Sequence, residues 1–174
     1  MCAGGRFTTR WIELFRREGI RRTEQGPGDL GDRLLRAFER THGEGAGSTV
    51  IVGADSPTLP AGHVFEALRL LCEGSSAVVS PAEDGGYVLI GLRRPVSALF
   101  RQVPWGRAEV LEVTGRRAVE AGVALDVIDG WYDVDDADGV RRLLADLARP
   151  EAKRRAPSTV RALRRLDASR KGVV

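Results

Sequence analysis

The sequence predicts an α/β fold in which a mostly parallel sheet is flanked by helices. Short apolar, β-branched runs alternate along the chain with segments whose apolar residues recur every three or four positions, the periods of strands and amphipathic helices. Glycine-rich or acidic turns separate the two kinds of segment. The length of 174 residues suits a single domain that can bury a substantial core.

The composition excludes several classes of protein. Hydrophobic residues make up 43% of the chain and charged residues 29%, which is typical of a soluble globular domain. No apolar run approaches the length of a membrane span, and the N-terminus lacks the apolar core of a signal peptide. Cys2 and Cys72 have neither metal-binding nor redox spacing. We therefore expect a cytoplasmic protein.

Upstream of residue 49 the pattern predicts two helices and a weak strand. A helix over residues 11–18 ends at Gly19, and residues 20–24 form at most a poor edge strand. Asp29 is a suitable N-cap for a second helix over residues 30–40.

Residues 49–52, Thr-Val-Ile-Val, form the predicted strand around which the rest of the chain is organised. A short, β-branched, apolar run of this kind is typical of a strand buried on both faces. Asp55 follows almost at once, so its carboxylate would lie at the carboxyl end of the strand, where open α/β sheets bind ligands. Pro60 is suited to begin the next helix. The apolar face of that helix would comprise Val64, Phe65, Leu68 and Leu71.

The remaining elements alternate in the same way. Residues 77–80 and 87–92 are predicted strands joined by a polar turn in a hairpin-like arrangement. A helix over residues 107–121 and a strand over residues 123–128 follow. The next predicted helix carries Val140, Leu143, Leu144 and Leu147.

Three polar turns at predicted strand ends contain the candidate functional residues. They are residues 53–57 with Asp55, residues 83–86 with Asp84 and a glycine pair, and residues 133–136 with three aspartates. Carboxylates gathered on one sheet edge repel each other unless a cation or a proton intervenes. A Mg²⁺ or Mn²⁺ ion is the natural partner, and the glycine pair would let backbone amides approach a sugar or a phosphate.

Each turn also has a purely structural interpretation. Asp55 could cap a turn, an aspartate within residues 133–136 could be the N-cap of the following helix, and the glycine pair could form only a tight turn. The common placement of the three turns at one edge of the sheet favours the functional interpretation.

The ordered set of motifs resembles a bacterial family of glycosyltransferase-like proteins, long classed as a domain of unknown function. That family belongs to the nucleotide-diphospho-sugar transferase superfamily, which has the GT-A fold. The resemblance covers roughly residues 11–147. It rests on G-A-D-S-P-T-L-P, P-A-E-D-G-G-Y-V-L-I-G-L, V-P-W and D-V-D-D-A-D, preceded by Gln25 and the Asp29-Leu30-Gly31-Asp32-Arg33 block.

The resemblance implies a metal-dependent transferase that uses a nucleotide-activated donor, such as a nucleoside-diphosphate sugar, and a small-molecule acceptor. It implies that Asp55 and either Asp133 or Asp135 bind the metal, and that Asp84 orients or deprotonates the acceptor hydroxyl. It also implies that Gln25, Leu30 and Gly31 lie along the nucleotide base of the donor, and that Gly85 and Gly86 face the sugar or the acceptor. A nucleotidyltransferase acting on a phosphorylated metabolite and a catalytically inactive, truncated remnant are the alternatives.

Two departures from the family pattern affect these expectations. The usual Trp-Ser-Thr reads Trp105-Gly106-Arg107 here, so a hydroxyl contact from that turn is lost. The opening strand and basic, glycine-bearing loop of such proteins have no counterpart in residues 1–6. We expect that at least one βαβ unit, roughly 30 residues or more, is missing from the front, and that the isolated chain has weak activity or none.

The charge divides the chain into a domain over residues 1–149 and a basic tail over residues 150–174. The tail contains eight basic and two acidic residues, a net charge of +6, whereas the whole chain carries +3. No aromatic residue is interleaved with these charges to stack on bases. We therefore expect a solvated tail and no nucleic-acid partner.

Overall fold

The computed structural model describes residues 2–3, 17 and 19–171. The helix predicted over residues 11–18 lies outside this part of the chain except for Arg17, which is helical. The strands are β1 (Cys2–Ala3), β2 (Thr23–Glu24), β3 (Thr49–Val52), β4 (Ala77–Pro81), β5 (Tyr87–Leu92) and β6 (Leu125–Val127). The helices are α1 (Leu30–Gly43), α2 (Ala61–Glu73), α3 (Val110–Glu120), α4 (Ala137–Asp146), α5 (Pro150–Arg155) and α6 (Pro157–Lys171), with a 3₁₀ helix at Ser97–Phe100.

The predicted α/β class is confirmed, but the main sheet is mixed rather than mostly parallel. Strands β1 and β2 form a small parallel pair, and the main sheet has the order β3-β5-β4-β6. Strand β5 is antiparallel to both of its neighbours, whereas β4 and β6 are parallel. Thus β3, β4 and β6 run in one direction and β5 in the other. The reversal follows from the short turn between β4 and β5, since a tight connection can join only antiparallel strands.

Helices cover both faces of the main sheet. Side chains alternate between the faces along each strand, so Val79 and Ile90 point to one side while Val78 and Leu89 point to the other. The first side packs against α1, the 3₁₀ helix and α3, through residues that include Phe38, Leu99, Phe100 and Ala118. The second side packs against Ala67 and Leu71 of α2.

Two predictions about burial were wrong. Strand β3 was expected to be buried on both faces, but its residues are only partly buried and Val52 is 40% exposed. Within the described residues β3 pairs with β5 alone, so it is an edge strand. Phe65, expected on the apolar face of α2, is 70% exposed, because the helix is rotated to bury Ala67 and Leu71 instead.

The helices that follow residue 136 form a third apolar cluster of their own. Tyr132 packs there with Leu143 and Leu147 of α4 and with two alanines of the last segment, Ala152 and Ala156. The basic side chains at positions 153–155, 161, 164 and 165 are exposed, as expected of a solvated tail. The expectation was wrong for the start of the tail, because Ala152 and Ala156 are buried in this cluster. In the part of the chain that the structure describes, no helix combines the length and the apolar character that a bilayer crossing requires.

Candidate functional site

The three strands that share a direction bring their following loops to one edge of the sheet. Asp55 follows β3, Asp84 follows β4 and Asp133 follows β6. The antiparallel β5 enters from the loop that contains Asp84, so it adds no further loop at this edge. The shared edge that the sequence predicted is therefore present.

The segment after β6 crosses this edge and is fixed by backbone hydrogen bonds. The Trp131 amide donates to the Pro81 carbonyl over 2.9 Å, at the end of β4. The Val134 amide donates to the Asp55 carbonyl over 3.0 Å, beyond the end of β3. Residues 131–134 are thus held across both loops, and the acidic turn that follows is placed beside them.

Three carboxylates form the acidic cluster, defined here as Asp84, Asp133 and Asp135. Each offers an oxygen, and these oxygens all lie within 4.8 Å of one another. Asp84 and Asp135 are exposed and Asp133 is partly buried. Burial raises the pKa of Asp133 above its usual value, and the charges of Asp84, Asp135 and Asp55 add to the increase, against a backbone hydrogen bond that lowers it.

The turn that carries Asp84 is held in place by hydrogen bonds and close packing. The Gly86 amide donates to Asp84 Oδ1 over 2.9 Å, which orients the carboxylate. Gly85 has φ of +89°, and a Cβ there would lie only 2.0 Å from the carbonyl oxygen of Ala108. The Gly85 carbonyl in turn accepts from the Leu111 amide over 2.9 Å. Gly85 therefore lets the turn pack against the start of α3.

Gly86 differs from its neighbour in what surrounds it. A Cβ at Gly86 would lie 3.2 Å from Asp84 Oδ1, and its backbone does not need the left-handed conformation. The space that Gly86 leaves open is therefore next to a carboxylate of the acidic cluster.

Asp55 lies near the acidic cluster without belonging to it. Its carboxylate is exposed and folds back over Gly53, where a Cβ would lie 2.6 Å from Asp55 Oδ1. Its charge nevertheless contributes to the raised pKa of Asp133. The structure thus brings Asp84, Asp133 and Asp135 together and leaves Asp55 at their margin.

The residues implied to lie along the nucleotide base are found at or just before the start of α1. None of them belongs to the acidic cluster. Asp29 caps this helix as predicted, accepting from the Asp32 amide over 2.9 Å. Leu30 is exposed, and the backbone carbonyl of Gln25 accepts from Arg36 Nε over 2.9 Å. Gly31 is buried, and a Cβ there would lie 2.6 Å from the Phe100 carbonyl oxygen.

A cavity of about 750 Å³ lies next to this helix start. Its lining includes Gly31 and Leu35 of α1, Phe100 of the 3₁₀ helix, and Gln102 and Arg117. None of the residues of the acidic cluster lines it. The cavity therefore adjoins the predicted base-contacting segment rather than the carboxylates.

Sequence reasoning missed two arginines, one in α4 and one in α5, that contact residues in the loops at this edge of the sheet. Arg142 forms an ion pair with Glu83, and its guanidinium lies 4.4 Å from the centroid of the Tyr132 ring. Arg155 lies over the ring of Trp131 and donates to the Thr58 carbonyl over 3.2 Å. The adjacent aromatic residues directly before the acidic turn were the available signal in the sequence.

Comparison with known protein families identifies the chain. Residues 1–107 match the sequence model of DUF2064, described as "Uncharacterized protein conserved in bacteria". The chain belongs to this family. The matched residues include Asp55 and Asp84, whereas Asp133, Asp135 and α4 lie beyond them. A search of curated proteins found no match.

Solved structures share the fold of this DUF2064 chain. A "putative nucleotide-diphospho-sugar transferase" from Desulfovibrio desulfuricans G20 is 28% identical, with a TM-score of 0.79, and the match covers 96% of this chain and 73% of that one. A CMP:2-keto-3-deoxy-manno-octonic acid synthetase, solved with CTP, is 13% identical, with a TM-score of 0.50 over 79% of this chain and 78% of that one. The fold is therefore that of nucleotide-diphospho-sugar transferases.

Proposed function

We propose that the protein is a metal-dependent transferase that moves a glycosyl group from a nucleoside-diphosphate sugar to a small-molecule acceptor. The observation that carries the proposal is the acidic cluster at the carboxyl edge of the sheet, where this class of fold binds ligands. The likeness to the Desulfovibrio desulfuricans protein, at 28% identity over nearly the whole chain, supports the same reaction class.

The donor set suits a hard divalent cation. Asp84, Asp133 and Asp135 offer only carboxylate oxygens, the ligands that Mg²⁺ and Mn²⁺ prefer, and two of the three side chains are exposed to incoming water or phosphate. These three residues would hold the ion, with Asp55 near enough to add negative charge. A bound ion supplies charge neutralisation for the departing diphosphate.

In this proposal the chain's own residues position the acceptor. Asp84 Oδ1 accepts from the Gly86 amide and keeps a second lone pair that could bind the ion. Oδ2 then remains to orient an acceptor hydroxyl or to take its proton. The acceptor oxygen then bonds to the anomeric carbon of the sugar, while the bond from that carbon to the diphosphate oxygen breaks. The nucleoside diphosphate leaves with the electron pair of the broken bond.

The start of α1 would bind the nucleotide base. Gln25 is partly buried and Leu30 is exposed at the first turn, which suits polar and apolar contact with a base. Gly31 would serve this site indirectly, since its missing side chain lets α1 approach the Phe100 carbonyl and Trp105 closely. The neighbouring cavity offers the space that such a ligand group requires.

A thermal-shift screen of nucleoside-diphosphate sugars, nucleoside diphosphates and nucleoside triphosphates, each with and without Mn²⁺, tests the proposal. We expect stabilisation by nucleoside-diphosphate sugars that requires Mn²⁺. Stabilisation only by a triphosphate, with pyrophosphate released when a phosphorylated sugar is added, would instead indicate nucleotidyl transfer. Absence of any Mn²⁺-dependent nucleotide binding would contradict the proposed function.

A further inference from the structure

We propose that Tyr132 is a positioning residue, whose buried hydroxyl holds Asp133 in the geometry that a divalent ion requires. This inference rests on the proposed function, because it concerns the residues behind the acidic cluster. Tyr132 directly precedes Asp133 and is only 3% exposed. It lies beyond the residues matched by the family model.

The Tyr132 hydroxyl joins two segments that are distant in sequence. It donates to Asp146 Oδ2 over 2.9 Å, and it lies 2.6 Å from Thr58 Oγ1. A phenol has one proton, and a carboxylate can only accept, so the Thr58 hydroxyl is the donor to Tyr132. Trp131 Nε1 also donates to Thr58 Oγ1, over 3.4 Å. The resulting chain of donors ends on Asp146, which is also paired with Arg149.

The members of this network come from segments that adjoin the site. Thr58 lies three residues beyond Asp55, in the loop after β3. Asp146 is the last residue of α4, whose first turn is capped by Asp136, the residue after Asp135. Tyr132, which directly precedes Asp133, is therefore bonded both to the loop of Asp55 and to the helix that follows Asp135.

The acidic cluster needs such an anchor. Its three carboxylates lie within 4.8 Å of one another and repel when ionised, so a flexible turn would let them separate. Thr58 and Asp146 are almost completely buried, so their bonds to Tyr132 are shielded from competing water. Groups that lack contact with a metal but orient its ligands commonly set the affinity of the site.

The test is a Mn²⁺ titration of the full chain by isothermal calorimetry, comparing wild type with Tyr132→Phe. The variant keeps the ring and its packing and loses only the hydroxyl. We expect the dissociation constant for Mn²⁺ to rise by about 10–100-fold, the usual effect of removing a residue that orients a metal ligand.

Thr41→Val is the matched control. Thr41 Oγ1 lies 2.7 Å from Thr49 Oγ1, a hydroxyl pair like that of Thr58 and Tyr132, but at the start of β3 and so at the opposite edge of the sheet. We expect this variant to lower the melting temperature without changing the Mn²⁺ affinity. Thr58→Ser and Thr58→Val extend the comparison, since serine retains a hydroxyl and should restore the affinity that valine loses.

The outcomes separate this inference from the proposed function. Equal Mn²⁺ affinity in wild type and Tyr132→Phe, with a lower melting temperature in the variant, would show a purely structural network and overturn the inference alone. If wild type fails to bind Mn²⁺, the proposed function and this inference fall together. Should Tyr132→Phe fail to fold, the two Thr58 variants decide the question by the same measurement.

Discussion

Replacement of Asp133 by asparagine removes the charge of the partly buried member of the acidic cluster and should stabilise the metal-free protein. The oxygens of the cluster lie within 4.8 Å of one another. At that separation two unit charges repel by about 0.9 kcal/mol at the dielectric constant of water and by about 3.5 kcal/mol at an effective value of 20. Asp84 and Asp135 are exposed, so solvent screening places each pair near the lower figure.

Two such pairs end at Asp133, so the substitution should raise the free energy of unfolding by about 1–2 kcal/mol. For a domain of this size that corresponds to an increase in melting temperature of about 2–8 °C. The measurement is a thermal melt of wild type and Asp133→Asn in a chelator, followed by the same melts with Mn²⁺. Added Mn²⁺ should stabilise wild type more than the variant, because the variant lacks one of the proposed ligands.

The pH dependence of this difference gives a second check. The pKa of Asp133 is raised in the folded protein, chiefly by burial and further by the neighbouring carboxylates. Below the usual carboxyl pKa, Asp133 is protonated in both the folded and the unfolded protein and does not change the free energy of unfolding. As pH rises from there through the raised pKa, the unfolded chain ionises first, so the metal-free folded protein loses stability. The advantage of Asp133→Asn should therefore grow over this interval and then level off.

Asp146→Asn is a control for which we expect the opposite change in melting temperature. Asp146 is 4% exposed and its carboxylate is satisfied by Arg149 and by the Tyr132 hydroxyl. Removing its charge should lower the melting temperature, since a paired, buried charge is lost. A lower melting temperature for metal-free Asp133→Asn at neutral pH, or a difference from wild type that does not change with pH, would refute the repulsion argument.

The remaining predictions concern the loop of Asp84 and the side chain of Arg142 beside it. Gly85→Ala should destabilise the fold by about 2 kcal/mol or more, because it combines left-handed strain with contact against the Ala108 backbone; thermal melts measure this. Gly86→Ala should keep the melting temperature within a few degrees and weaken Mn²⁺ binding measured by calorimetry, and the reverse pattern would contradict the placement. Arg142 pairs with Glu83, the residue before Asp84, so its positive charge would lie close to a diphosphate bound at the acidic cluster. Arg142→Gln should therefore weaken Mn²⁺-dependent nucleotide binding about tenfold, whereas Arg141, which is paired with Asp138, should tolerate the same change; equal effects of the two substitutions would refute this role of Arg142.

Local features of the sequence predicted most of the elements. Residues 49–52 and 87–92 were predicted with their observed bounds, because strand periodicity and turn residues are properties of neighbouring positions. The N-cap role of Asp29 followed from the same local chemistry. Placement of three acidic turns at one edge needed only the inference that their strands run in the same direction.

Features that depend on distant residues could not be predicted in this way. The insertion of β5 between β3 and β4 is a choice of strand order that leaves no trace in the local pattern. The bond between Thr58 and Tyr132 joins positions 74 residues apart. The exposure of Phe65 reflects the rotation of α2 against the sheet, which apolar spacing alone does not determine because Phe65 and Leu71 are both compatible with a helical face.

The packing of the last helices could not be predicted from the sequence for a different reason. Their buried residues include Ala152 and Ala156, small side chains set among arginines and a lysine, which give a weak hydrophobic signal. The predicted missing unit at the front and the division at residue 149 stay predictions.

The central claim is that Asp84, Asp133 and Asp135 together hold one divalent ion, and calorimetric titration of Mn²⁺ tests it most directly. The titration compares wild type with Asp84→Asn and Asp133→Asn, using Asp138→Asn, an exposed aspartate of α4 outside the acidic cluster, as the control. We predict one Mn²⁺ per chain for wild type and for Asp138→Asn, and loss of that binding in both cluster variants. The same Mn²⁺ affinity in all four proteins, or no binding in any of them, would contradict the account.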